Sequence, residues 1–215
     1  MVLMADSAEI PGLLAKGRLY AAALPERPVM ARDLAIAAML AAERSPRRMG
    51  YYGNLAKLVD GLPEGLSATP AGDFMTELFF AGIHHEVGDF QKAFAALGRA
   101  EAALQKIEDE VERRSRQLLL ANSQAYFLAT APKQAGRNPE RALHLAQPMI
   151  AARDQLPGGG YASDSAALLD TLATAWYAAG QPERAAKIQS LALGLADGES
   201  LDTYLRHYDE FIGEQ

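Results

Sequence analysis

The tetrapeptide Pro-Glu-Arg-Ala occurs twice, at 139–142 and 182–185, each time where one apolar stretch gives way to the next. Proline suits the first position of a helix and not its interior, because its nitrogen carries no hydrogen and its ring fixes φ. A glutamate directly after it faces the positive end of the helix dipole. Each copy therefore marks a helix start, and the recurrence marks an internal repeat. A third, diverged copy is Gly88-Asp89-Phe90-Gln91-Lys92-Ala93. Helix-turn-helix units of this kind cannot bury their apolar faces alone, so the pattern predicts an all-α chain of stacked antiparallel helix pairs, an α-solenoid.

Composition agrees with helices. The chain is 49% hydrophobic and 22% charged, ordinary for a folded protein. Ala, Leu and Met carry the apolar share, and these lose little entropy in a helix. There is no cysteine, which excludes disulfides, thiolate catalysis and cysteine-based metal centres. No uncharged apolar run is long enough to span a membrane, and residues 1–20 lack a signal-peptide pattern. A cytoplasmic chain is expected, or an exported, periplasmic one if a signal segment has been removed. The net charge of −6 argues against nucleic-acid binding. Residues 1–70 carry 8 basic against 7 acidic groups and residues 71–215 carry 13 against 20, so the acidic part favours a basic partner segment.

The Gly- and Pro-rich stretch 61–72 is read as a boundary between an N-terminal helical block, 1–70, and a repeat region, 71–215. Helices are expected over 7–23 and 28–44, and a third from the Ser45-Pro46 start to Asp60-Gly61. Beyond the boundary a helix is expected over 73–87, closed by Gly88, with its mate beginning at Asp89. The mate's stripe of Phe90, Ala93, Phe94, Leu97, Ala100, Leu104, Ile107 and Val111 should break at the charged run 112–117, before a helix over 118–130 and a loop over 131–137. Asn138-Pro139 opens a helix to about Asp154 and Pro157–Gly160 breaks the chain. Ser163 or Asp164 then caps a helix to Ala179, Gly180 ends it, and Pro182 starts its partner, which reaches Ala196. An amphipathic segment after Ser200, with Leu201, Tyr204, Leu205, Tyr208, Phe211 and Ile212, is expected to cap the stack.

Leu172, Ala173, Trp176, Gly180, Ala185 and Ala192, with Phe80, Ala81, His84, Gly88, Ala93, Leu97 and Ala100 at the same offsets, resemble tetratricopeptide repeats. The resemblance covers about residues 72–196, in the irregular form common in bacteria, with His84 where that family has an aromatic side chain. Spacings of 49 and 43 residues between Ala93, Ala142 and Ala185 exceed the family's usual period. The resemblance implies a right-handed solenoid and a concave surface lined by first-helix residues not used in packing. These are Met75, Leu78, His85 and Glu86, then Gln124 and Phe127, then Asp170, Thr174 and Tyr177.

Catalytic signatures are missing. His84 and His85 are adjacent and point about 100° apart on a helix, unlike the i, i+4 pair of a zinc site. Gly158-Gly159-Gly160 lacks the Lys-Ser/Thr of a phosphate loop, and no Gly-x-Ser-x-Gly elbow occurs. His144 and His207 stand alone, and the clusters Arg44/Arg47/Arg48 and Arg113/Arg114/Arg116 read as solvated helix faces. No catalytic residue, metal ligand or cofactor is expected. The chain reads as a non-catalytic scaffold or adaptor that binds a protein or extended peptide in its groove. The alternatives are a homo-oligomerising structural protein and a regulatory or accessory domain of a larger enzyme or sensor.

Overall fold

The computed structural model describes residues 12, 33, 48–62, 67, 69–153, 162–196 and 200–213. Among these residues the chain is all-helical: α1 (Arg48–Val59), α2 (Pro70–Glu86), α3 (Phe90–Leu104), α4 (Glu110–Thr130), a 3₁₀ turn (Lys133–Ala135), α5 (Pro139–Arg153), α6 (Ala162–Ala178), α7 (Pro182–Leu195) and α8 (Leu201–Gly213). The helices expected over 7–23 and 28–44, the Ser45-Pro46 start and the 157–160 break lie outside the described residues, save Gly12 and Asp33, both helical. The chain divides into two compact units that meet between Ile107 and Glu108.

Helix ends follow local chemistry. Thr69, Asp89, Asp109 and Asn138 each accept a backbone N–H from three residues on, at 3.2, 3.2, 2.7 and 3.0 Å, the N-cap bond that satisfies one orphan donor. Three glycines adopt positive φ: Gly88 at 79°, Gly136 at 103° and Gly180 at 75°. All three close the same motif. The glycine N–H donates to the carbonyl three residues back and the next N–H to the carbonyl five back, as in Gly180 to Tyr177 at 2.9 Å and Gln181 to Trp176 at 3.0 Å.

Three expectations are corrected. The helix read as starting at Asp73 begins at Pro70, because Thr69 caps it and Pro70 opens it. Ser163 and Asp164 lie inside α6 rather than capping it. The chain turns at 105–109, not in the charged run 112–117, which is the first turns of α4. There Asp109 is the cap and Glu110 and Glu112 face the helix dipole. Consequently Ile107 is buried in the turn while Val111 is 55% exposed.

In the first unit α2 packs on α1 and on α3, burying Leu55, Phe74, Phe80, Ile83 and Leu97. In the second, α4 packs on α5 and α6, α5 on α6, α6 on α7, and α8 on α7 with a lighter contact to α6. Small residues sit where backbones approach most closely. Ala93, Ala142 and Ala185 are each fully buried, as are Ala81, Ala125 and Ala173 on the preceding helices. Ala81 precedes Ala93, and Ala173 precedes Ala185, by the same 12 residues. Ala125 precedes Ala142 by 17, because the connection after α4 is five residues longer than the three-residue turns after α2 and α6. That insertion accounts for five of the six residues by which the alanine spacings, 49 and 43, differ. Trp176 is half-buried, joining two core clusters, with the Arg184 guanidinium 4.8 Å above its ring.

Candidate functional site

In the second unit three helices turn the same pattern of positions, i, i+3 and i+4, toward one open pocket of about 580 Å³. Helix α4 supplies Tyr126, Ala129 and Thr130, α6 supplies Thr174, Tyr177 and Ala178, and α8 supplies His207, Glu210 and Phe211. Arg137, from the long connection after α4, completes the lining. Residues at this spacing share one helix face. The α4 and α6 sets lie 48 residues apart, as do Ala125 and Ala173, so the two helices present corresponding faces. The volume lies within the range of small-molecule and side-chain pockets.

One lining residue, His207, belongs to a polar network that joins three helices. Asp170 Oδ1 accepts from Gln189 Nε2 at 2.7 Å and lies 2.8 Å from His207 Nδ1. Gln189, fully buried, also donates to the Tyr204 carbonyl at 3.2 Å. One carboxylate thereby ties α6, α7 and α8 together. An ionised Asp170 carboxylate accepts the hydrogen on Nδ1 of His207. Phe211 packs against Tyr177, with centroids 4.7 Å apart, and stacks on His207 at 6.2 Å. Thr174 is 8% exposed and its Oγ1 has no hydrogen-bond partner among the described residues. Thr130 Oγ1 donates to the Tyr126 carbonyl at 2.8 Å.

The first unit holds a smaller cavity of about 210 Å³, lined by Val59, Asp60, Leu62, Glu77, Phe80, His84, Lys92, Ala95 and Arg99. Its charges are mutually paired. Lys92 Nζ lies 2.7 Å from Asp60 and 3.4 Å from Asp89, which hold its ammonium above the usual lysine range. Arg99 meets the buried Glu77 at 2.9 Å, and His84 Nε2 lies 3.6 Å from Asp60. Burial lowers His84 despite that carboxylate, and burial against the Phe90 ring, 5.3 Å away, pushes His85 down to about 4. The charged groups of this cavity are thus engaged with one another.

The residues expected in a groove are distributed over both units. Met75, Leu78, His85 and Glu86 are half-buried on α2, and none lines either cavity. On α4, Phe127 is 6% exposed in the interior and Gln124 is half-buried away from the pocket lining. On α6, Thr174 and Tyr177 line the pocket, and Asp170, outside the lining, is bonded to His207. Sequence reasoning missed Tyr126, Thr130, Arg137, His207, Glu210 and Phe211. The α4 residues were recoverable, since the face carried by Thr174 and Tyr177 repeats 48 residues earlier at Tyr126 and Ala129. His207 and Glu210 were not, because nothing in the chain order announces that α8 folds onto α6 as well as α7.

Among the described residues no group of three or more His, Asp and Glu could hold a metal ion, and no helix is long and apolar enough to cross a membrane. No protein-family model and no curated protein matches the chain.

Proposed function

We propose that the chain is a helical-repeat interaction module, resembling the tetratricopeptide class of right-handed solenoids, that binds an extended peptide segment of a partner protein through the pocket between α4, α6 and α8. The observation that carries this reading is the shared register of the lining: corresponding faces of two first helices, plus one face of the terminal helix, converge on an open space of about 580 Å³. First-helix residues not spent on packing are those a repeat protein turns toward its ligand. The fully buried Ala93, Ala142 and Ala185 support the repeat register itself. The role is binding rather than catalysis, since the Asp170 and His207 pair braces three helices through Gln189 and the Tyr204 carbonyl.

Selection of a random peptide library on the full chain tests the proposal. Selected peptides should lose about tenfold or more in affinity, ~1.4 kcal/mol, when Thr130→Arg fills the pocket from an exposed lining position. Lys187→Ala, on an exposed position of α7, should leave affinity unchanged. Peptides indifferent to Thr130→Arg would refute the assignment of the site.

A second reading has its own observation. Leu191 and Leu195 on α7, and Leu201, Leu205 and Ile212 on α8, are 60, 40, 38, 42 and 42% exposed. Apolar groups gathered at one terminal helix pair are those a second copy could cover. Under this reading the mass from light scattering rises with concentration in the wild type and stays monomeric in a Leu191→Glu, Leu205→Glu variant; a constant monomer mass for the wild type rejects it.

A further inference from the structure

We propose that the pocket between α4, α6 and α8 takes a bipolar stretch of peptide, with an acidic side chain at Arg137 and a basic one at Glu210. The inference rests on the peptide-binding reading above and adds to it the charges, and hence the direction, of the bound segment. Arg137 and Glu210 are the charged side chains of the lining apart from His207, which lies 2.8 Å from Asp170. Both are exposed, and neither side chain has an ion-pair or hydrogen-bond partner among the described residues. The smaller cavity of the first unit is the contrast. There Lys92 meets Asp60 and Arg99 meets Glu77, so each opposite pair closes on itself. Two opposite charges that share a larger pocket without meeting are left to water, or to a ligand that carries both signs.

The repeat pattern itself singles out Arg137. It stands on the connection after α4, which is five residues longer than the turns after α2 and α6, and through it that connection joins three helices in lining the pocket. Backbone bonds fix the connection in place. The N–H groups of Ala135 and Arg137 both donate to the Pro132 carbonyl, at 2.9 and 3.3 Å, Gly136 donates to Lys133 at 3.3 Å, and Asn138 donates back to Leu128 on α4 at 2.8 Å. Arg137 is thereby held at its position, and its planar guanidinium matches a carboxylate. Glu210 offers the opposite charge from α8. Tyr126, Tyr177 and Phe211, also in the lining, give carbon surface to the methylene stems of the ligand's charged side chains.

Contacts made by exposed charges are each worth at most about fivefold in affinity, so the test reads polarity rather than tightness. Peptides selected from a random library on the full chain, and sensitive to Thr130→Arg, should carry an acidic and a basic residue at a fixed spacing. Calorimetry then compares such a peptide with a twin in which the acid and the base change places. The wild type should prefer the selected peptide by about tenfold, because the twin sets like charges against Arg137 and Glu210. Arg137→Gln and Glu210→Gln should each remove part of that preference. The exchange variant Arg137→Glu, Glu210→Arg should reverse it, which a loss of folding cannot do. Equal binding of the twins, or a preference that persists in the exchange variant, overturns the bipolar assignment. If the Thr130→Arg-sensitive peptides carry no such pair of charges, the bipolar inference falls and the peptide reading stands. A parallel arm uses ω-aminobutanoate, ω-aminohexanoate and ω-aminooctanoate, each against the alkanoate and the alkylamine of the same length. If one of them binds more tightly than both of its single-charge counterparts, is weakened by either Gln variant, and no peptide is selected, the bipolar site stands and the peptide reading falls. If neither peptides nor amino acids of this kind bind, both fall.

Discussion

Asp170 concentrates the polar chemistry of the second unit: one buried carboxylate oxygen receives Gln189 and faces His207, joining α6, α7 and α8. Removing it takes one partner from the buried Gln189 amide and one from the half-buried His207, so Asp170→Ala should cost about 1–3 kcal/mol, read from urea unfolding. Thr174→Val should be neutral or add up to about 1 kcal/mol, because the hydroxyl it removes has no partner. A loss above that for Thr174→Val would mean that the hydroxyl is engaged. His85 gives the first unit a pH dependence. Unfolded, it takes up a proton near its ordinary 6.5; folded, burial delays this to about 4. Between those values the unfolded chain binds more protons, so stability is full above about 6.5 and is lost progressively as pH falls to about 4. His84 is lowered too and adds in the same direction. Denaturation midpoints between pH 7 and pH 4 should therefore fall, less steeply in His85→Leu.

Among the elements, the glycine-closed turns fix how each helix hands the chain to the next. Gly180 holds φ at 75° between α6 and α7, so Gly180→Ala should cost about 1–2 kcal/mol through backbone strain alone. Ala185 is fully buried where those helices meet, and Ala185→Leu should cost about 1–3 kcal/mol by overpacking; an unchanged unfolding midpoint for either would contradict the packing described. Helix starts and stops were legible because proline, glycine and Asp or Asn caps act on the local backbone. The turn at 105–109 was not, since it contains neither glycine nor proline and the apolar stripe of α3 runs on through Ile107 to Val111. Only burial separates those two residues: Ile107 folds back under its helix and Val111 faces water.

For the molecule as a whole, the sequence carried the all-helical class and the repeat alanines, and it reached the α6 part of the pocket. The segment after Ser200 reads as a cap on the stack, and its Tyr204 and Phe211 are buried while Leu201, Leu205 and Ile212 are exposed. What was not carried was the reach of α8 to α6, where Phe211 meets Tyr177, 34 residues earlier. Tertiary closure of that kind leaves no local pattern. Because α8 supplies His207, Glu210 and Phe211, the binding account depends on its docking. Phe211→Ala should cost about 3–5 kcal/mol and speed exchange along α8 before the rest of the unit. The central claim is that ligand enters where α4, α6 and α8 converge. Amide hydrogen exchange of the full chain, with and without a library-selected peptide, tests it most directly. The account predicts slowed exchange at residues 126–130, 174–178 and 207–211 together. Protection confined to α1–α3, or to the exposed leucines of α7, would contradict it.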